Sequence, residues 1–159
     1  MKEHRYEIDT VWQGNLGTGT SGYRAYGRDC EVTASGKLAP IAGSADPTFR
    51  GDAKRYNPEE MLVAALSMCH MLSFLHVCTD AGVVVTAYSD RATGTMRMTP
   101  DGGGNFVEVT LHPAVTITSA GRAADMDALH AKASELCFIA RSVNFPVHHE
   151  ATVVVAAEA

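Results

Sequence analysis

The chain has 159 residues, 46% of them hydrophobic and 19% charged, which excludes a disordered chain and suits one hydrophobic core. Thirteen Lys and Arg stand against 18 Asp and Glu, a formal net charge of −5, so the basic excess of a nucleic-acid binder is absent. A single domain spanning residues 1–159 is therefore expected, with no nucleic-acid partner.

The opening MKEHRYEIDT has no apolar run behind its charges, as a secretory leader would. His4–Trp12 alternates in the manner of a strand, and Gly14, Gly17 and Gly19 mark a turn. No helix opens behind these glycines, so a nucleotide-binding loop is rejected. Tyr23–Ala34 resumes strand-like composition, Ser35-Gly36-Lys37 is a second turn, and Leu38–Ile41 is a short strand. Asp46–Tyr56 is a polar loop.

A helix start follows. Asn57 can cap, Pro58 suits the first helical position, and Glu59 and Glu60 suit the positive end of the helix dipole. Glu60 also stands where a capping-box acceptor belongs. The helix is predicted to run to about Thr79, with Gly82 as its stop. Met61–Cys78 is apolar on nearly every face, so it needs cover on all sides. Ser67, His70, Ser73 and His76 interrupt it, so a core helix is expected and not a membrane span. A sheet, a second helix and a partner chain together would supply the cover, which predicts a homodimer.

Val83–Asp90 reads as a strand. Ala92–Thr99 and Asn105–Thr118 read as a hairpin across Pro100–Gly104. Ala123–Ala140 is a second helix with Met126, Leu129, Ala133, Leu136 and Ala140 on one face, and Val147–Ala156 is a last strand. The order predicts an α+β fold with helices laid on antiparallel sheet.

The four cysteines, Cys30, Cys69, Cys78 and Cys137, include no CxxC pair, so neither a structural zinc site nor a disulfide scaffold is expected. Cys30 reads as a structural strand residue. Cys69 and Cys78 fall on opposite faces of the first helix. Cys137, at the end of the second helix, would approach Cys69 if the two helices pack together. Two thiols on facing helices suit an attacking and a resolving cysteine. Zinc ligation by His70, His76, His148, His149 and Glu150 is disfavoured, because His70 and His76 do not share a helix face and adjacent His148 and His149 point to opposite sides of a strand. No Gly-x-Ser-x-Gly elbow supports a serine hydrolase.

The run Asn57-Pro58-Glu59-Glu60-Met61 through Ser67-Met68-Cys69 resembles the NPEE-led helix of the OsmC/Ohr family, the osmotically inducible and organic-hydroperoxide-resistance proteins. Glu59 precedes Cys69 by ten positions, as in that family, and Cys137 matches its second cysteine. Trp12-Gln13-Gly14-Asn15 and Gly27-Arg28-Asp29 also fit. The stretch from Tyr23 to Cys30 is similar to a less studied OsmC-like branch. Two departures are His70 after Cys69, where an apolar or aromatic residue is usual, and Phe138 after Cys137, where proline is common.

The resemblance implies antiparallel sheets packed around long central helices in an intertwined homodimer. It also implies reduction of organic hydroperoxides by Cys69, resolved by Cys137 and recycled by an external dithiol, possible reductants including a lipoylated protein. No metal or cofactor is required. An arginine held by Glu59 would keep Cys69 anionic. Arg28 is the first choice, because Gly27-Arg28-Asp29 precedes the turn ending Gly36-Lys37-Leu38, and Arg50, in the loop before Asn57, is the second. Glu59 lies ~15 Å along the helix from Cys69, so it acts through that arginine or across a dimer interface. A cytoplasmic location goes with such thiol chemistry. The alternative is a non-catalytic protein that binds an apolar ligand at the interface.

Overall fold

The computed structural model describes residues 2–156. The chain divides into two compact units, Met1–Leu62 and Val63–Ala159.

In the first unit β1 (Asp9–Trp12), β2 (Cys30–Thr33) and β3 (Ile41–Gly43) form an antiparallel sheet in that order. The strands are shorter than the alternation predicts. The chain between β1 and β2 pinches where the Gly27 amide donates to the Gly14 carbonyl at 2.8 Å and the Trp12 indole donates to the Gly27 carbonyl at 2.9 Å. Tyr23–Asp29, expected as strand, folds into turns around Arg28. The Arg28 guanidinium donates to the carbonyls of Tyr26 at 2.5 Å and Tyr23 at 2.8 Å, and lies 4.0 and 4.5 Å from their ring centres.

The long helix α1 (Pro58–Asp80) begins and ends as its sequence dictates. The Glu60 amide donates to Asn57 Oδ1 at 2.8 Å, and the Asn57 amide donates to Glu60 Oε2 at 3.1 Å. This is a complete capping box, a cap of the kind worth about 1 kcal/mol. At the other end Gly82 takes φ +68°. The Val83 amide reaches the Cys78 carbonyl at 2.8 Å and the Gly82 amide the Thr79 carbonyl at 3.1 Å, the paired bonds of a Schellman stop.

The second unit continues with β4 (Val85–Asp90), β5 (Thr93–Met98), β6 (Gly104–Leu111), β7 (Pro113–Ile117), α2 (Met126–Leu136), β8 (Val147–His149) and β9 (Thr152–Val155). They make two three-stranded sheets, ordered β4-β7-β9 and β5-β6-β8. The fold is α+β, as predicted, but both of these sheets are mixed and not wholly antiparallel. β6 pairs β8, and β7 pairs β9, in parallel, because α2 supplies the crossover that parallel neighbours need.

Two predicted strands are each divided between the sheets. Asn105–Thr118 breaks at His112, whose amide donates to Asp90 Oδ1 at 2.7 Å, and Pro113 then starts β7 without an amide to give. Val147–Ala156 breaks at Glu150, whose amide turns to the Leu111 carbonyl at 2.8 Å. The second helix is also shorter than Ala123–Ala140: short 3-10 turns occupy Ala120–Asp125 and Ala140–Ser142.

The core of this unit joins Phe74 and Cys78 of α1 to Val115 and Ile117 of β7 and to Met126 and Ala133 of α2. Leu66, His70, Phe74, Val77 and Cys78 make the buried face of α1. Its 18-residue apolar window has mean hydropathy 1.8, long and apolar enough for a membrane by composition, yet this face is the core of a folded unit. On the opposite face Met68 and Leu72 are 58% and 57% exposed.

Candidate active site

Cys69 and His70 occupy neighbouring positions on α1, about 100° apart around its axis. His70 points into the core and Cys69 stands at the edge of the buried face, half-buried. Cys137 is the residue that ends α2, with extended backbone, and is 2% exposed. Burial pushes the Cys137 thiol well above its ordinary pKa. The neighbouring Cys69 thiol adds to the rise, and the Ala140 amide, donating to its sulfur at 3.4 Å, opposes it. Cys137 is therefore a protonated thiol at neutral pH, poised beside a more accessible one.

A polar chain runs beside this pair. His70 Nε2 meets His130 Nδ1 at 2.9 Å, His70 Nδ1 meets Ser134 Oγ at 3.4 Å, and Ser134 Oγ meets His149 Nδ1 at 3.3 Å. The chain thus links α1, α2 and β8. His70 and His130 are both 1% exposed, and desolvation, with a smaller contribution from neighbouring histidines, lowers their pKa values to about 4 and about 3. Both imidazoles are neutral at pH 7. His130 Nε2 has no hydrogen-bond partner among the described residues. The favoured tautomers are those that leave a bare lone pair there, because a buried N–H without an acceptor is the costlier orphan. His130 then donates to His70, His70 to Ser134, and Ser134 to His149.

A second anchor grips α1 two residues before Cys69. The Ser67 hydroxyl donates to Asp90 Oδ2 at 2.5 Å, while Asp90 Oδ1 takes the His112 amide. Ser67 and His70 thus tie α1 to β4 and to α2, and Cys69 stands between them.

Sequence reasoning did not find this network. The buried face of α2 is Met126, His130, Ala133 and Cys137; of the expected stripe Met126 and Ala133 are buried and Leu129 packs half-buried against the core, whereas Leu136 is exposed. The signal was present as helical spacing, since His130 follows Met126 by four positions and His70 follows Leu66 by four. No sequence spacing relates His70 to His149, yet their rings lie 5.6 Å apart, each also near His130. The His70 and His130 rings are nearly coplanar and meet edge to edge through their hydrogen bond, and no cluster able to hold a metal ion is found among the described residues.

The remaining expected site residues lie in the first unit. Arg28 is held by Tyr23 and Tyr26 as described. Arg50 is exposed and closes a short 3-10 turn at φ 68°. Glu59 is half-buried in the first turn of α1. A third arginine, Arg55, pairs with Asp29 at 3.3 Å. Cys30 is in β2, its sulfur against Gly43, as a structural strand residue would be.

Residues 51–152 match the family model of the OsmC-like protein. The chain belongs to the OsmC-like family. An OsmC-like protein of unknown function from Vibrio cholerae is 30% identical, with a TM-score of 0.82 over 96% of this chain and all of that one. An organic hydroperoxide resistance protein from Legionella pneumophila is 19% identical, with a TM-score of 0.65 over 95% of this chain and 98% of that one. One from Bacillus subtilis is 16% identical, with a TM-score of 0.61 over 92% of this chain and 98% of that one. The last two likenesses show the OsmC/Ohr fold. No curated protein sequence matches the chain.

Proposed function

We propose that this OsmC-like protein is a cysteine-based reductase of organic hydroperoxides. The observation that carries the reading is the pairing of half-buried Cys69 with buried, protonated Cys137 on adjoining helices. The asymmetry assigns the roles. The accessible sulfur of Cys69 meets substrate, and the buried thiol waits for the oxidised product.

In this reading the Cys69 thiolate attacks the terminal peroxide oxygen. The O–O bond breaks, and the alkoxide takes a proton to leave as alcohol. Cys69 is left as a sulfenic acid, and the Cys137 thiol attacks its sulfur, forming the disulfide and releasing water. An external dithiol, a lipoyl group being one suitable class, exchanges with the disulfide and restores both thiols. Met68, Met71 and Leu72 beside Cys69 favour an alkyl or fatty-acyl hydroperoxide over hydrogen peroxide. Arg28, whose guanidinium is held by the Tyr23 and Tyr26 carbonyls, is our first choice for the cation that favours the thiolate, with Glu59 as its acidic partner in the catalytic state and Arg50 as the second choice. The exposed Met68 and Leu72 face of α1 supports a homodimer, and the cycle suits a reducing, cytoplasmic setting.

The test is consumption of cumene hydroperoxide with a dithiol present. Cys69→Ser is expected to abolish turnover, and Cys137→Ser to arrest the protein as a Cys69 sulfenic acid visible by mass spectrometry. Arg28→Ala is expected to slow turnover about a hundredfold and Arg50→Ala far less. Wild-type protein that consumes no hydroperoxide would overturn the reading in favour of a protein that binds an apolar ligand.

A further inference from the structure

The two helices that carry the thiols are joined by hydrogen bonds at one side chain. His70, next to Cys69, bonds His130 at 2.9 Å and Ser134 at 3.4 Å. Ser134 lies three residues before Cys137, whose own amide returns to the Ser134 carbonyl at 3.3 Å. A shift of α1 against α2 that separates the sulfurs therefore has to break these bonds, one of which joins two imidazoles that are both buried. On the far side His149 fastens Ser134 to β8. On the near side Asp90 holds Ser67.

We propose that His70 is the positioning residue of the Cys69–Cys137 pair, its bonds to His130 and Ser134 clamping α1 to α2 so that the two sulfurs stay within bridging reach. The proposal rests on the thiol-pair reading above but does not require hydroperoxide turnover. The clamp raises the effective concentration of one thiol at the other and so favours the disulfide. The relevant exchange is balanced: Cys69 and Cys137 thiols plus oxidised dithiothreitol give the protein disulfide plus reduced dithiothreitol, with two electrons and two protons passing to the reagent.

The experiment equilibrates the full-length protein in buffers of reduced and oxidised dithiothreitol and measures the disulfide fraction by alkylation and mass spectrometry. In His70→Phe, which keeps a ring against His130 and loses both bonds, the equilibrium is expected to move about tenfold toward the dithiol. His70→Asn, able to reach Ser134, is expected to recover part of that shift. Ser134→Ala, a milder change at a half-buried site, is expected to move it about threefold in the same direction, and it decides the matter if His70→Phe does not fold. His76→Phe, on an exposed part of α1, is expected to leave it unchanged. A folded His70→Phe protein with the wild-type equilibrium overturns the clamp, as does His70→Asn no better than His70→Phe, even if melting temperatures fall. If the wild-type protein forms no Cys69–Cys137 disulfide in any buffer, the thiol-pair reading itself fails, and the clamp with it.

Discussion

His130 lies flat against Phe74, their ring centroids 3.9 Å apart and their planes 10° from parallel. A ring so placed is apolar furniture as much as it is a base. The same stack explains why His130 is neutral: an imidazolium there would lose its water and gain only the other histidines as neighbours.

Acid should therefore loosen the second unit. Unfolded histidine takes up a proton near pH 6.5, whereas folded His70 and His130 resist until about pH 4 and about pH 3. Between those limits the unfolded state binds more protons, so stability rises with pH. It is fully present above pH 6.5 and is lost as pH falls toward 4, on the order of 3 kcal/mol for one such group at ~1.4 kcal/mol per pH unit. The Asp90 carboxylate, which acts on His70 in the opposite sense, moderates the effect. Urea midpoints measured from pH 7.5 to 4.5 should fall steeply in the wild type and less in His130→Phe. A flat wild-type profile would contradict the burial of neutral histidines.

The thiols should divide by reactivity. Cys69 and Cys30 are half-buried, whereas Cys137 and Cys78 are buried. Burial also pushes the Cys78 pKa up to about 11, and Cys137 is shifted in the same direction. Timed iodoacetamide labelling at pH 8 should modify Cys69 and Cys30 first and the other two about a hundredfold more slowly, following thiolate content and access. Equal rates at Cys69 and Cys137 would remove the asymmetry on which their roles rest.

Asp90 is a structural keystone for α1. One carboxylate oxygen takes the Ser67 hydroxyl and the other the His112 amide, at the corner where β6 passes into β7. Charge-assisted bonds of this kind are worth ~1.5–3 kcal/mol. Asp90→Asn should lower unfolding free energy by about 2 kcal/mol, and Ser67→Ala by about 1 kcal/mol. Chemical denaturation checks both, and an unchanged Asp90→Asn midpoint would exclude this anchoring.

The local chemistry of α1 was readable because every signal for it is local. Asn57 and Glu60 cap within one turn, and Gly82 stops the helix two residues after Asp80. The sheet partners were not readable. Within Asn105–Thr118 the one local sign of a break is Pro113, and it is the distant Asp90, taking the His112 amide, that turns the chain there. The parallel pairings depend on where α2 sends the chain, which no strand pattern records. Likewise Cys69 and Cys137 could be singled out one by one. The histidines between their helices were hidden because a buried histidine looks polar in sequence, although His130 and His70 occupy apolar positions in the helical repeat.

Gly14 is expected to tolerate no side chain. A Cβ there would lie 1.9 Å from the Gly27 carbonyl oxygen, far inside van der Waals contact. Gly14→Ala must open the pinch between β1 and β2, breaking the Gly27 amide bond and the Trp12 bond together. A loss of about 3 kcal/mol is expected for this combination of overpacking and lost bonds, with a blunted Trp12 fluorescence signal, since this is the only tryptophan. Gly17, with φ +113° and open space around it, provides the comparison. Gly17→Ala should cost only the backbone strain, about 1 kcal/mol, and leave Trp12 as it is.

The outward face of α1 argues for a second copy of the chain. Ala64, Met68 and Leu72 recur at four-residue spacing and are exposed, which aligns them as an apolar stripe. In water such a stripe on a helix of this hydropathy is an association surface. The wild-type protein should sediment as a dimer. Leu72→Glu, which adds a charge at the C-terminal end of the stripe without touching the buried face, should give a folded monomer at micromolar concentration, because a charge desolvated without a partner opposes association. Leu72→Met should remain dimeric. A wild-type chain that sediments as a monomer would leave the stripe facing water and overturn the dimer assignment.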